Sequence, residues 1–345
     1  MESIVDDISA LQKKAKEFTD SFDYENAVKC YEQVLLNSKS LSESDLIKLH
    51  CDIAEAYNEL EEYEQVIKHY KTIASTTNIP LASKINCKLG QVYLKIKDYK
   101  NSIESYMIAL ELTKKLLGED HKSIPTLLTF LAMAHQEGED LKSAVDVYKA
   151  AISIYKKQGA SEELGYEYYL LAKCYEEYGE TKEAKENIKI AEEVLIKAKG
   201  QNSNMVADCY GLLAIILVNN KEYKEALEYL TKTMDIWDIN GFDDYEKIAD
   251  TYVQKGFCNY KLERYNLAIN NYKLGLENRR KFSSIEDEWT AMLYYGIAKS
   301  YYKKKDEIVN EWLLKAYTIM SDLNIKEPRI TKLMKKIVPK QMNKV

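Results

Sequence analysis

The sequence predicts an all-α fold, a solenoid of about eight stacked helix pairs closed by a C-terminal capping helix. Three observations point there. A small–bulky–small mark at i, i+4 and i+7 returns seven times. Clusters of Gly, Pro, Asn, Asp and Ser separate the copies. No segment shows the apolar–polar alternation of a half-buried strand.

The first residue of the mark is Ala27, Val66, Ser102, Ala144, Ala184, Ala226 and Ala268 in turn, at intervals of 39, 36, 42, 40, 42 and 42 residues. That is the period of a helical repeat array. The bulky residue that follows is Tyr31, Tyr70, Tyr106, Tyr148, Ile188, Leu230 and Tyr272, and the third is Val34, Ile73, Ala109, Ala151, Ala191, Thr233 and Gly275. Mostly small first and third residues let neighbouring helices approach, and the middle one fills the gap.

The repeats fall near residues 8–40, 47–79, 83–117, 125–158, 165–199, 207–240, 249–282 and 290–321, within one array over 1–327. Repeat one opens on Ile8, Leu11, Ala15 and Phe18, with lysines outside. In repeat three, Leu81–Lys97 is expected as the first helix and Tyr99–Leu116 as the second. Ile85, Leu89, Val92, Tyr93 and Ile96 form the buried stripe, and Gly90 marks a helix crossing. Breaks between repeats are expected at Thr76–Pro80, Gly118–His121, Gln158–Ser161, Gly200–Asn204 and Asn240–Asp244. The eighth unit is degenerate: Ile297-Ala298 and Tyr301 open it well, and Val309, Leu313 and Ala316 follow after a shortened turn. Residues 328–345 then form a capping helix and basic tail. Ile330, Leu333, Met334, Ile337 and Val338 give that helix one apolar face, as an array end requires. Arg329, Lys332, Lys335, Lys336, Lys340 and Lys344 make it basic.

Leu89-Gly90-x-x-Tyr93, the tyrosines Tyr24, Tyr63, Tyr99, Tyr223 and Tyr265, and the Ala-x-x-x-Tyr-x-x-Ala second helices resemble the tetratricopeptide repeat (TPR) family. The usual unit is 34 residues; this one is longer, similar to the kinesin light chain arrays. Leu116-Leu117-Gly118-Glu119-Asp120-His121 also resembles their inter-repeat connection. The resemblance implies a right-handed superhelix whose first helices line a concave face.

Composition narrows the class. A hydrophobic content of 46% with 30% charged residues fits an ordered chain. A net charge of −6 argues against a general nucleic-acid binder. The N-terminal residues have neither the basic nor the apolar region of a secretory signal, no apolar run reaches a membrane span, and six cysteines lie singly in predicted helices. A reducing, cytoplasmic setting is expected, with membrane contact only peripheral.

No catalytic, metal-binding or phosphate-binding motif stands out among His50, His69, His121, His135 or the acidic runs, so no enzyme, cofactor or small-molecule substrate is expected. Cys51 and Cys87 occupy equivalent positions and read as small buried or half-buried thiols.

Function is therefore expected from surfaces. The resemblance implies that the second, fifth, ninth and twelfth residues of each first helix point into the groove. In repeats two and three this places Lys48, Cys51, Glu55, Asn58, Lys84, Cys87, Gln91 and Leu94 there, and in repeat four Thr126, Thr129, Met133 and Gln136. In repeats five to seven it places Tyr166, Tyr169, Lys173, Glu176, Asp208, Gly211, Ile215, Val218, Asp250, Val253, Phe257 and Tyr260. Tyr295, Lys299 and Tyr302 are the equivalents in the last unit. The candidate partner-binding residues are Lys48, Asn58, Lys84, Gln91, Tyr166, Tyr169, Lys173, Phe257, Tyr260, Tyr295, Lys299 and Tyr302. The groove is polar in repeats two to four and aromatic from repeat five, where the alternative is filling by the chain's own C-terminal helix. The Lys/Asn pattern of carboxylate-gripping, chaperone-binding members is absent. A non-enzymatic adaptor binding a peptide or helix of another protein is the expected function. The alternatives are a switch resembling the bacterial peptide-sensing TPR regulators, and a vesicle-trafficking adaptor resembling the soluble NSF attachment proteins.

Overall fold

A computed structural model describes residues 2–38, 41–159, 161–283 and 285–337, with side chains from residue 8 onward. Ala160 of one expected break, and Val338, Lys340 and Lys344 of the expected tail, lie outside the described residues. The described residues form seventeen α-helices and no strand, and the chain divides into two compact units, Met1–Ala160 and Ser161–Val345.

The first unit holds four helix pairs: α1 (Glu2–Asp20) with α2 (Tyr24–Leu36), α3 (Glu43–Glu59) with α4 (Tyr63–Ile73), α5 (Ile79–Lys95) with α6 (Tyr99–Leu117), and α7 (Ile124–Glu137) with α8 (Leu141–Gln158). The second holds α9 (Ser161–Tyr178) with α10 (Thr181–Lys199), α11 (Asn204–Asn219) with α12 (Tyr223–Asn240), α13 (Tyr245–Lys261) with α14 (Tyr265–Phe282), and α15 (Glu288–Lys304) with α16 (Val309–Asp322), then α17 (Pro328–Ile337). Each unit is an all-α solenoid in which every helix packs on its neighbours in sequence. In the second unit the first helices α9, α11, α13 and α15 also touch one another in a row.

The repeated mark is the core. Ala27, Val66, Ser102, Ala144, Ala184, Ala226 and Ala268 have no exposed surface. Tyr106 and Tyr148 are equally closed off, and the other bulky residues are buried. At the closest crossings the opposing residue is glycine. A Cβ on Gly90 would lie 2.8 Å from the Tyr106 ring, and one on Gly256 would lie 2.7 Å from the Tyr272 ring. The ring fills the space that a side chain would take.

All eight pairs turn in the same way. Phe22, Glu61, Lys97, Glu139, Gly179, Lys221, Glu263 and Lys305 each adopt positive φ just after a first helix. The next N–H then reaches back to a carbonyl in the last turn, as from Asp98 to Tyr93 at 2.8 Å and from Glu222 to Leu217 at 2.8 Å. This left-handed C-terminal closure usually takes glycine, yet Gly179 is its only glycine. The tyrosines Tyr24, Tyr63, Tyr99, Tyr223 and Tyr265 each open the second helix that follows. Asp23, Asp98 and Asp140 cap the second helices they precede by accepting from the backbone N–H of Asn26, Asn101 and Ser143.

Ile96, expected in the buried stripe of repeat three, is instead 41% exposed. The helix stops at Lys95, and Ile96 is its C-cap. The C-terminal helix docks as expected. Ile330 and Leu333 are buried in one cluster with Leu293, Tyr294, Leu313 and Ala316, and Met334 and Ile337 pack against it.

One buried polar pair lies inside the first unit. Nδ1 of His50 on α3 and Nδ1 of His69 on α4 are 2.9 Å apart, so one donates and the other accepts. The Tyr57 ring stacks on His69, and its hydroxyl donates to Glu32 at 2.6 Å. Burial holds both imidazoles neutral, lowering His50 and taking His69 down to about 4 with the neighbouring His50 adding to the effect.

Three predictions follow from this packing. Gly256→Ala is expected to destabilise by about 1–3 kcal/mol through overpacking on Tyr272, whereas Gly211→Ala, with nothing within 4 Å of the new methyl, gains about 0.5–1 kcal/mol from helix propensity; equal melting temperatures would contradict the packing. Lys97→Gly is expected to raise stability by up to about 1 kcal/mol by relieving a left-handed backbone, read as an increase in denaturant midpoint. Because the folded His69 titrates below its unfolded value, its stabilising contribution is complete above pH 6.5 and is lost as pH falls towards 4. His69→Gln should therefore flatten the melting-temperature profile between these values, removing a loss on the order of 2 kcal/mol by pH 4.5.

Candidate functional site: a groove along the first helices of the second unit

The row α9, α11, α13 and α15 leaves a cleft whose walls are side chains spaced three and four residues apart on successive helices. One cavity of about 450 Å³ is lined by Ile215, Val253, Phe257, Tyr260, Trp289, Met292, Tyr295 and Lys299, with Arg329 from α17 at its edge. A second of about 450 Å³ adjoins it, lined by Tyr169, Lys173, Glu176, Asp208, Trp237 and Asp250. Ile215, Val253, Gln254 and Trp289 line both, so the two form one groove.

Aromatic contacts hold its middle and one end. Phe257 meets Tyr223 edge-on at 6.1 Å between ring centroids, and Tyr260 leans on Tyr265 at 5.7 Å. The Lys299 ammonium sits 4.7 Å from the centre of the Tyr260 ring and 5.8 Å from that of Tyr295, a cation–π arrangement. Burial lowers the Lys299 pKa, and the nearby cations Lys261, Arg329 and Lys303 lower it further. Arg329, by contrast, is paired: its Nε and a terminal nitrogen reach the two oxygens of Glu327 at 2.6 and 2.9 Å. That pairing takes the Glu327 carboxyl down to about 2.

The other end is acidic. Burial raises the pKa of Glu176, Asp208 and Asp250. Asn219 donates to Glu176 at 2.7 Å, and Lys247 lies 3.5 Å from Asp208. Neighbouring Glu246 raises Asp250 further, against a hydrogen bond from Trp289.

Of the expected groove residues, Phe257, Tyr260, Tyr295 and Lys299 come together in the first cavity, and Tyr169 and Lys173 line the second. Tyr166 stacks on Tyr169 with centroids 6.2 Å apart. Tyr302 is exposed and lines neither cavity. In the first unit, Asn58 and Gln91 share a cavity of about 440 Å³ with Tyr24, Tyr31, Asp52 and Glu55. Lys48 lines a separate one of about 390 Å³ with Cys51 and Leu81, and Lys84 is exposed and lines neither. Thr129 and Gln136, expected in the groove, are buried instead: Thr129 donates to the Pro125 carbonyl, and Gln136 accepts from the Tyr148 hydroxyl. Cys51 and Cys87 are free, half-buried thiols whose pKa values are raised by burial.

Met292, Trp289 and Arg329 were missed. Met292 lies three residues before Tyr295 and continues the same spacing, so it was findable. Trp289 sits one turn earlier, and Arg329 enters from another element.

Among the described residues, the C-terminal helix α17 does not fill the groove. Its apolar face is spent on α15 and α16, and among the described residues only Arg329 of α17 reaches the cavity.

The sequence matches the tetratricopeptide repeat family over residues 81–157 and again over residues 206–237. Tetratricopeptide repeats are therefore present in each unit. No curated protein matches it. Among solved structures, this TPR chain is similar to BtubC (BKLC) from P. vanneervenii, with 18% identity, a TM-score of 0.58, and coverage of 67% of this chain and 94% of the other. It is similar to a Rap protein complexed with competence and sporulation factor, with 14% identity, a TM-score of 0.54, and coverage of 96% and 93%. It is also similar to aspartyl phosphate phosphatase F from Bacillus subtilis, with 13% identity, a TM-score of 0.58, and coverage of 90% and 93%. At these identities the likeness is one of fold. No helix among the described residues is long and apolar enough to cross a membrane, and no group of three His, Cys, Asp or Glu side chains among them could hold a metal ion.

Proposed function

We propose that this TPR protein is a non-enzymatic, cytoplasmic interaction scaffold that binds a peptide or helix of a partner protein in the groove of its second unit. The observation that carries the reading is the open run of aromatic side chains, Tyr169, Trp289, Phe257, Tyr260 and Tyr295, in a cleft that the chain's own C-terminal helix leaves unfilled. Exposed aromatic surface in a concave site is the usual anchor of a protein–protein contact. In the first unit, one cavity sets Tyr24, Tyr31 and Tyr70 among polar side chains, and another of about 830 Å³ is lined by aliphatic residues such as Ile103, Met107 and Leu110 rather than by aromatic ones.

A second reading is a peptide-regulated switch, in which ligand in the groove alters the pitch of the helix pairs. The Rap protein complexed with competence and sporulation factor supports it through shared fold.

Truncating an anchor costs about 2 kcal/mol of binding energy. Tyr169→Ala and Phe257→Ala are therefore expected to weaken partner binding about thirtyfold or more each, with melting temperatures near that of the parent because both side chains face the cleft. Binding that survives both changes but falls with Lys48→Ala and Lys84→Ala would move the site to the first unit.

A further inference from the structure

The groove's two ends carry opposite charges, and each end holds one charge that forms no ion pair among the described residues. At the α15 end, Lys299 is half-buried against Tyr260 and Tyr295. It forms no ion pair among the described residues, and the charges nearest to it, on Lys261, Arg329 and Lys303, are all positive. An ammonium in that position is desolvated and repelled, a state that an incoming anion would relieve. At the α9–α11 end, Asp208 and Glu176 already hold partners in Lys247 and Asn219. Asp250 beside them has no ion pair among the described residues; it takes a hydrogen bond from Trp289, Glu246 and Asp244 oppose its charge, and Arg279, itself paired with Asp287, attracts it.

A further observation lies in that acidic cavity. Trp237 lines it and is 5% exposed, and its buried indole N–H has no hydrogen-bond acceptor among the described residues. A buried, unpartnered donor is costly. Between the ends run Val253, Phe257, Trp289 and Met292, which offer dispersion and aromatic contact but no charge.

Resting on the peptide-binding reading above, we infer that the groove is built for a dipolar segment: an extended peptide with a cationic group at the Asp250 end, an apolar or aromatic centre, and a carboxylate at Lys299. Single-sign peptides meet repulsion at one end. A uniformly apolar one covers both charges without pairing them, which opposes binding.

The test uses the full chain and labelled eight-residue synthetic peptides with a Trp–Leu centre, followed by fluorescence anisotropy. One peptide carries Lys near one end and Asp near the other; the others carry Lys at both ends, Asp at both ends, or Ser at both. The dipolar peptide is expected to bind about tenfold or more tightly than each of the others. Lys299→Glu should weaken it by a similar factor and switch preference to the Lys–Lys peptide, while Asp250→Lys should switch preference to the Asp–Asp peptide. A merely structural role for either residue would weaken all four peptides alike and give no switch, and that result overturns the inference. Equal binding of all four to the parent chain also overturns it while leaving the peptide-binding reading intact. Binding of none removes both.

Discussion

The structure depends on one constraint, the close crossing of paired helices at residues too small to keep them apart. Gly90 under Tyr106 and Gly256 under Tyr272 show it clearly, with ring carbons standing where a Cβ would be. Once a tyrosine of the second helix occupies that place, the two helices are fixed in depth and rotation. The other faces of the first helix are then determined as well. One meets the preceding pair, and the remaining one, read at steps of three and four residues, is left open. The groove is that remainder. It is not built by a separate element, which is why its lining residues alternate along the helices with the most deeply buried residues of the chain.

The same logic explains why the turns look unlike turns in sequence. Their left-handed residues are Phe22, Glu61, Lys97, Glu139, Lys221, Glu263 and Lys305, with glycine only at Gly179. Each non-glycine residue carries a local cost of about 1 kcal/mol or more. The cost is tolerated because the helices on both sides are already locked by the crossing, so the connection has little freedom to choose another path. Clusters rich in Gly, Pro and Asn mark instead the breaks between pairs, where packing imposes less.

These facts account for what was legible. The helix pairs could be read from the sequence because their determinants repeat: a small residue at Ala144 or Ala184 means the same thing each time, and all seven are buried without exception. The end of α5 could not be read so well, since Ile96 is apolar in the right phase and only the non-glycine turn at Lys97 stops the helix before it. In the groove, periodic spacing brought Phe257, Tyr260, Tyr295 and Lys299 to one cavity, and Met292 lay one step back in the same series. Arg329 was beyond reach. Its place depends on how α17 docks through Ile330 and Leu333, a tertiary fact with no local signature. Lys84 and Tyr302 fit the spacing equally well and yet line none of the cavities described above, because periodicity assigns a face but does not say whether the neighbouring helix closes over it.

Charge in the groove follows from the same geometry. Packing leaves the cleft narrow enough to desolvate what lines it, so burial pushes the carboxyls of Glu176, Asp208 and Asp250 up and the ammonium of Lys299 down. On an open surface these groups would be solvated and nearly indifferent to a partner. Here the helix crossings make them matter, since the repulsion around Lys299 is fixed by positions that the core sets. The residues that stabilise the fold and those that would recognise a partner thus interleave on the same helices while pointing in different directions. Changing Phe257 or Lys299 alters what the groove can hold, and changing Gly256, one residue from Phe257, alters whether there is a groove at all.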